Sequence, residues 1–327
     1  MRSPRLAPVA AVAITSVLTM ALASACGSSS KSTASAAGKL EKTSLVVGEV
    51  PSEGNAALYV ALQRGLFAAH GLRVTLQNIQ STATIIPDLL HGSIDIAAGQ
   101  LTAFIGSQAE GIGKFRVLAS GLELRPSVNE LMALKSSGIT SPAGLKGKTI
   151  AVNADVGNGP LLTYSALSAY GVQPDQVSLV TIGFPDMAAA LQAHRVAAAY
   201  STQPYVTEME QQIGATVVAD LDQGAALDYM ITGYTVTTSW AGKYPKTAAA
   251  FAAAINQASR VLDTNHAAAQ KAFETYLQAS PKVAGTMALG NFPATVSVTR
   301  LQQLADLMLK YGELKAKFNA AVLIGQP

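Results

Sequence analysis

Four histidines and one cysteine are the side chains of this 327-residue chain best suited to acid–base, nucleophilic or metal chemistry. His70 and His91 each precede a glycine at the end of a helical pattern, and His194 is similarly placed. A cation there interacts favourably with the helix dipole, so helix ending accounts for all three. His266 sits in a helical, polar stretch. No two histidines have zinc-ligand spacing, and Cys26 has no second cysteine to join it in a metal site or a disulfide. No Gly-x-Ser-x-Gly elbow is present. The glycine-bearing segment 153–159 lacks the Lys-Ser/Thr pair that completes a phosphate loop. The expectation is therefore no catalytic residue, no metal and no cofactor.

What the loops offer instead is hydrogen bonding. Ser52, Glu53 and Asn55 follow one apolar run, Ser81 and Thr82 a second, and Gln100 and Thr102 a third. Further along, Asn153, Asp155, Gly157 and Asn158 share a loop. Asp186 stands alone in the next, and Ser201, Thr202 and Gln203 in the one after. Tyr205 and Tyr234 carry flat faces for stacking on a flat ligand. These residues are the expected solute-binding set. Their loops hold no Arg or Lys, so an anion would have to rely on helix N-termini. Glu53, Asp155 and Asp186 suit a cationic or hydrogen-bond-donating group.

The elements that must position them alternate. Residues 44–48 read as a strand. Leu58, Leu62 and Leu66 recur at i, i+4, i+8 and mark one apolar face of a helix over 57–67, and Gly71 can end it in the left-handed conformation. Leu72, Val74 and Leu76 alternate with Arg73 and Thr75, a strand pattern. A helix from Thr84 to His91 would keep Pro87 in its first turn, where proline costs little. Residues 93–99 form the third strand, and the next helix is expected from Ala103. Such alternation predicts a parallel sheet with helices on its faces, and ligands bind at the carboxyl ends of its strands. The second half repeats the pattern. Strands are expected at 149–152, 177–182, 196–200 and 215–219. One helix carries Pro160 at its first position, one over 187–194 is capped by Asp186, and one starts at Gln203. Segments 121–126 with 128–134, and later 228–238, read as the chain crossing between two lobes and back. The helices from Tyr244 onward complete the first lobe.

The first 25 residues read as a lipoprotein signal peptide: Arg2 and Arg5, an apolar run over 7–22, and Ala23-Ser24-Ala25 before Cys26. Cys26 would then be acylated and become the amino terminus. Residues 26–43, rich in Ser, Ala, Gly and Lys, read as a flexible tether. Loss of Arg2 and Arg5 with the leader takes the formal charge from +3 to +1, and no basic stripe remains along the sequence, so nucleic acid is not an expected partner. No further run is long and apolar enough to cross a bilayer.

Two pairs of segments carry a family resemblance. LYVALQRGLFAAHGLRVTL with DLLHGSIDIAAGQ, and later LKGKTIAV with MAAALQAHRVAAAYSTQPY, resemble the solute-binding proteins of bacterial ABC importers. The subgroup they resemble handles nitrate, sulfonates, taurine and thiamine pyrimidine precursors. The resemblance implies a two-lobe type II periplasmic-binding-protein fold, α/β, with a mostly parallel sheet in each lobe and a hinge of two crossing strands. It places residues 44–127 and 235–327 in lobe 1 and residues 128–234 in lobe 2. It implies a monomer outside the cytoplasm, held by lipid on the outer face of the bacterial cytoplasmic membrane or free in the periplasm. Such a protein closes on a small sulfonate-like or nitrogen-heterocyclic solute and delivers it to a separate permease and its ATPase. A sensory module for a membrane kinase and an exported enzyme on the same fold are the alternatives.

Overall fold

The computed structural model describes residues 39–79 and 82–325. The leader, Cys26 and most of the expected tether therefore lie outside the described residues, as does Ser81. Within the described chain, Leu40 already packs against the core, and hydrogen bonding to the body begins at Glu41. Its carboxylate accepts hydrogen bonds from the amides of Lys246 and Thr247, and Lys42 pairs with Asp95.

The chain runs first through β1 (Ser44–Glu49), α1 (Ala56–Gln63), α2 (Leu66–Ala69), β2 (Arg73–Asn78), α3 (Thr82–His91), β3 (Ile96–Gln100), α4 (Leu101–Ala109) and β4 (Phe115–Ser120). It then passes to β5 (Asn129–Leu134), β6 (Thr149–Val152), α5 (Asn158–Ala169), β7 (Ser178–Thr181), α6 (Phe184–Gln192), β8 (Ala198–Thr202), α7 (Tyr205–Ile213) and β9 (Ala215–Asp220). It returns through β10 (Thr232–Thr237) and ends in α8 (Thr238–Lys243), α9 (Pro245–Thr264), α10 (His266–Tyr276), α11 (Pro281–Thr286) and α12 (Val298–Lys310).

Two five-stranded sheets result, ordered β2-β1-β3-β10-β4 and β7-β6-β8-β5-β9. In each sheet the strand in fourth place runs antiparallel to its neighbours, and in each it is the strand that follows a crossing segment. β10 pairs antiparallel with β3 and β4, and β5 with β8 and β9. The remaining pairings are parallel. Two connections, 121–128 and 221–231, thus join the sheets. This is the two-sheet α/β architecture expected from the sequence.

Local boundaries differ from expectation in instructive places. The first helix is split, because Gly65 takes φ +66° between α1 and α2. α3 starts at Thr82, so Pro87 lies in its second turn rather than its first. α6 starts at Phe184 behind Gly183, so Asp186 is a first-turn residue and not the cap. Pro185 makes this possible, since its fixed φ is already helical. β8 is shifted two residues along, so Ser201 and Thr202 lie in the strand rather than beyond it.

The apolar core under the first sheet is continuous and reaches the α5 side of the second sheet through Leu131, Val152, Leu161 and Tyr200. α9 is its main cover: Phe251, Ala254, Ile255, Ala258 and Leu262 are buried at helical spacing. A separate, smaller core lies beneath α6 and α7, built on Met132, Met187, Leu191, Ala199, Val206 and Met209.

Candidate functional site

Parallel strands leave their carboxyl ends on one side of a sheet, and the loops that leave those ends carry most of the expected residues. On the first sheet, Glu53 is 2 % exposed. Its Oε1 accepts the Gly290 amide at 2.7 Å, and its Oε2 has no partner. Burial, with Asp222 nearby, pushes its carboxyl up to about 8. Asn55 is committed to the loop itself, donating to Glu49 Oε2 at 2.8 Å and to the Val50 carbonyl at 2.7 Å. The Ser52 carbonyl accepts the Tyr276 hydroxyl at 2.9 Å. Thr82 accepts the Gln100 amide at 3.1 Å, tying the loop after β2 to the end of β3. Thr102, in the first turn of α4, is buried with its hydroxyl unpartnered.

The loop after β6 closes against this group. Gly157 donates its amide to Glu313 at 2.8 Å, and a Cβ on it would lie 3.2 Å from Gln100 Oε1 and 3.4 Å from Thr102 Oγ1. Its φ of +100° is left-handed, so the position calls for glycine on conformation as well as space. Here a loop of the second sheet meets the ends of the first. Beside it, Asn153 Oδ1 and Asn158 Oδ1 are buried without partners. A Cβ on Gly159 would come within 2.5 Å of Asn153 Oδ1, so the absence of a side chain there is what admits Asn153. Ser201 is fully buried with its hydroxyl unpartnered.

Other expected residues stand elsewhere. Asp155 is exposed and accepts the Thr181 hydroxyl. Asp186 is exposed, and Thr202 is half-buried. Gln203 is structural: its amide donates to the Ser127 carbonyl at 3.1 Å and its carbonyl accepts the Thr207 hydroxyl at 2.9 Å. Tyr205 is half-buried and stacks on Phe184, with centroids 5.3 Å apart. Tyr234 is not available to a ligand. It is fully buried, its ring meets Phe251 edge-on at 5.7 Å, and its hydroxyl accepts the Leu58 amide at 3.1 Å. The reason is α9, which covers β10 from a distance in sequence that strand periodicity does not register.

Several residues at the same strand ends escaped the sequence reading. Glu49 closes β1 and accepts the Tyr59 hydroxyl at 2.6 Å; burial pushes its carboxyl up. The rings of Tyr59 and Tyr276 stack at 3.8 Å and 5°, forming an aromatic wall beside Glu49. On the return crossing, Asp222 accepts the amides of Val128 and Asn129 and the Asn129 side chain, while Tyr200 donates to Asn129 Oδ1 at 2.9 Å. Burial drives the Asp222 carboxyl up to about 8 and the Glu130 carboxyl up to about 7. Glu49 was discoverable from the strand-end rule alone. Asp222, Asn129 and Tyr276 were not, since their placement depends on the crossings and on α10. Arg300 braces the crossings through Glu123 and the Asp228 carbonyl.

Five unpartnered buried polar atoms thus fall on residues nominated from sequence: Glu53 Oε2, Thr102 Oγ1, Asn153 Oδ1, Asn158 Oδ1 and Ser201 Oγ. A buried polar atom without a partner is costly, and such atoms are commonly satisfied by a ligand or ordered water. Among the described residues no cluster of His, Cys, Asp and Glu is arranged to hold a metal ion.

Comparisons with known proteins fit this geometry. A Haemophilus influenzae protein named for thiamine biosynthesis is 24% identical over 288 residues, 83% of this chain and 88% of that protein. A formylaminopyrimidine-binding protein of Halalkalibacterium halodurans is 26% identical over 163 residues, 50% of this chain and 48% of that protein. The crystal structure of the periplasmic aliphatic sulphonate binding protein of Escherichia coli superposes with a TM-score of 0.71 at 19% identity, covering 87% of this chain and all of that one. That likeness establishes the two-lobe periplasmic-binding-protein fold. The NMT1-like family model matches residues 38–277, most of the described body, and the chain belongs to that family.

Proposed function

We propose that this protein is an extracytoplasmic solute-binding lipoprotein of an ABC importer, anchored through Cys26. It acts as a monomer and passes its solute to a separate permease and ATPase. Lobe 1 is built on the first sheet and lobe 2 on the second, and because β10 (Thr232–Thr237) lies in the first sheet, the return boundary falls before Thr232 and not at the expected 234. The solute is a small nitrogen heterocycle bearing amino groups. One observation carries this reading: unpartnered buried polar atoms, one of them on the Glu53 carboxyl, lie at the strand ends of both sheets, with no lysine or arginine in those loops. The Glu53 carboxyl, kept protonated by burial in the empty site, can pass its proton to a basic amine or ring nitrogen and pair with the resulting cation. The name of the Halalkalibacterium relative points to the same ligand chemistry. Glu53, Thr102, Asn153, Asn158 and Ser201 supply the polar contacts, and the Tyr59–Tyr276 pair supplies a flat wall nearby.

Binding follows from differential contact. Groups on the first sheet alone hold the solute weakly. Contacts from the loop at Gly157 form only when the lobes approach, so the ligand favours the closed form. A micromolar solute provides about 8 kcal/mol in total, part of which offsets the cost of closure.

The test is calorimetry and thermal shift against aminopyrimidines, alkanesulfonates and nitrate. An aminopyrimidine at a hundred times its Kd stabilises the fold by about 2.7 kcal/mol and raises Tm by roughly 5 °C. Mass spectrometry then recovers the ligand unchanged. Binding of sulfonates alone would overturn the heterocycle, turnover of the ligand would overturn the receptor, and silence from every solute would overturn both.

A further inference from the structure

Around the first sheet the charges are sorted between the two ends of the strands, although the sequence shows no basic stripe. Strands β1, β2 and β3 are mutually parallel, and β4 runs with β3 because both oppose β10. Their amino ends therefore share one side of the first sheet, opposite the strand ends that carry the candidate site. Arg73 opens β2, Lys114 immediately precedes β4, and Lys246 lies in the first turn of α9. That turn is held beside β1 through Glu41. Lys315 and Lys317 face Lys114 and Thr238 across a groove of about 980 Å³. Lys39 stands where the described chain begins. All six cations are exposed, and none is in an ion pair among the described residues.

Acids near this end are Glu41, committed to the α9 amides, Asp95, paired with Lys42, Glu313, which lines the groove and accepts the Gly157 amide, and Asp88 and Glu110, so the exposed cations exceed the acids left free beside them. By contrast Glu53, Glu123, Asp155, Asp186, Asp222 and Asp228 lie at the carboxyl ends of strands or on the crossings.

The geometry points to this basic end as a docking surface for a bilayer carrying anionic phospholipid headgroups. Two observations select that occupant, and the proposal rests on the lipoprotein reading above. Charge is complementary, and the chain enters the body at this end. Lys39 lies thirteen positions after Cys26, which even fully extended reaches at most about 45 Å. A tether of that reach lets these cations meet the headgroups, and attraction between the two then holds the body there. The Debye length at physiological salt is about 8 Å, so attraction acts only on near contact. Docked this way, the protein holds the strand ends that carry its site away from the bilayer and open to arriving solute.

The experiment uses the full lipid-anchored protein in phosphatidylcholine vesicles with and without phosphatidylglycerol. A polarity-sensitive fluorophore is placed at Ala316→Cys on the basic end, or at Tyr170→Cys at the far end of α5 in the second sheet. The Ala316→Cys label shifts to the blue only with phosphatidylglycerol, and the shift vanishes in about 1 M salt, where the Debye length is ~3 Å. The triple variant Lys114→Glu, Lys315→Glu, Lys317→Glu abolishes it. Each lost lysine weakens attachment by about fivefold. Equal response of both labels, or no dependence on phosphatidylglycerol, overturns the docking surface. Protein that stays with vesicles at about 1 M salt retains the anchor reading whatever the labels do. Complete release there refutes the anchor, while a phosphatidylglycerol-dependent shift at low salt still supports the basic face.

Discussion

The two sheets share one topology but treat their polar strand ends differently. On the first sheet most such groups are already bonded within the protein: Asn55 to Glu49 and Val50, Thr82 to Gln100, and the Ser52 carbonyl to Tyr276. On the second sheet Asn153, Asn158 and Ser201 are buried with side-chain oxygens unpartnered. The cores differ in the same sense. The first sheet lies in a continuous apolar core roofed by α9, whereas α6 and α7 cover a small satellite rich in methionine. The first sheet leaves Glu53 Oε2 and Thr102 Oγ1 unmet among mostly bonded groups, and the second adds three side-chain oxygens whose hydrogen bonds remain to be made. A solute bridging the two gains more from the second, because there it relieves unmet hydrogen bonding rather than competing with bonds in place.

Core truncation separates the two sheets most sharply. Phe104, fully buried and edge-on to Phe115 at 5.4 Å, sits in the large core, and Phe104→Ala costs about 3–5 kcal/mol in denaturant unfolding. Met187→Ala falls nearer about 2 kcal/mol, because the half-buried Ile182 and Phe184 beside it can relax into the space. Equal losses would show the satellite to be as tightly built as the main core.

Polar truncation reverses the contrast. Asn55→Leu leaves Glu49 Oε2 and the Val50 carbonyl unpaired and destabilises the apo protein by about 1–3 kcal/mol. Asn158→Leu removes an atom that has no partner and leaves stability nearly unchanged, yet it weakens solute binding about tenfold. If Asn158→Leu destabilised the apo protein as much as Asn55→Leu, the idea of unmet hydrogen bonds on the second sheet would fail.

The smallest effect is on proton uptake. Glu53 rises from 4.5 to about 8 in the fold and Asp222 from 3.8 to about 8, both through burial. A raised carboxyl is protonated in the native state where the unfolded chain has already lost its proton. Stability from these groups is therefore complete below the unfolded values and declines as pH rises through about 8. Tm of the apo protein should fall from pH 5 towards pH 8.5. Glu53→Gln should flatten that slope by less than one proton, measured by thermal melts across the range. An unchanged slope would mean that Glu53 ionises normally in its loop.

How much of this was legible beforehand follows from how local each cause is. Helix ends at Gly71, Gly92 and Gly171 were readable because each takes positive φ, a preference glycine carries by itself. The shift of β8 was not, since residues 196–202 are apolar enough to place a strand but not to fix its register. The basic end was invisible for a related reason: Arg73, Lys114, Lys246 and Lys315 are scattered along the chain, and only strand direction gathers them.

Alternating periodicity, glycine stops and strand-end loops were enough to establish two α/β halves and a polar set at their rims, because each of those signals is written within a dozen residues. Folding alone decided which polar atoms are bonded and which remain unmet. Glu53 is held by Gly290, Ser52 by Tyr276 and Gly157 by Glu313. A hydrogen bond is satisfied by proximity in space, and these partners come from distant parts of the chain.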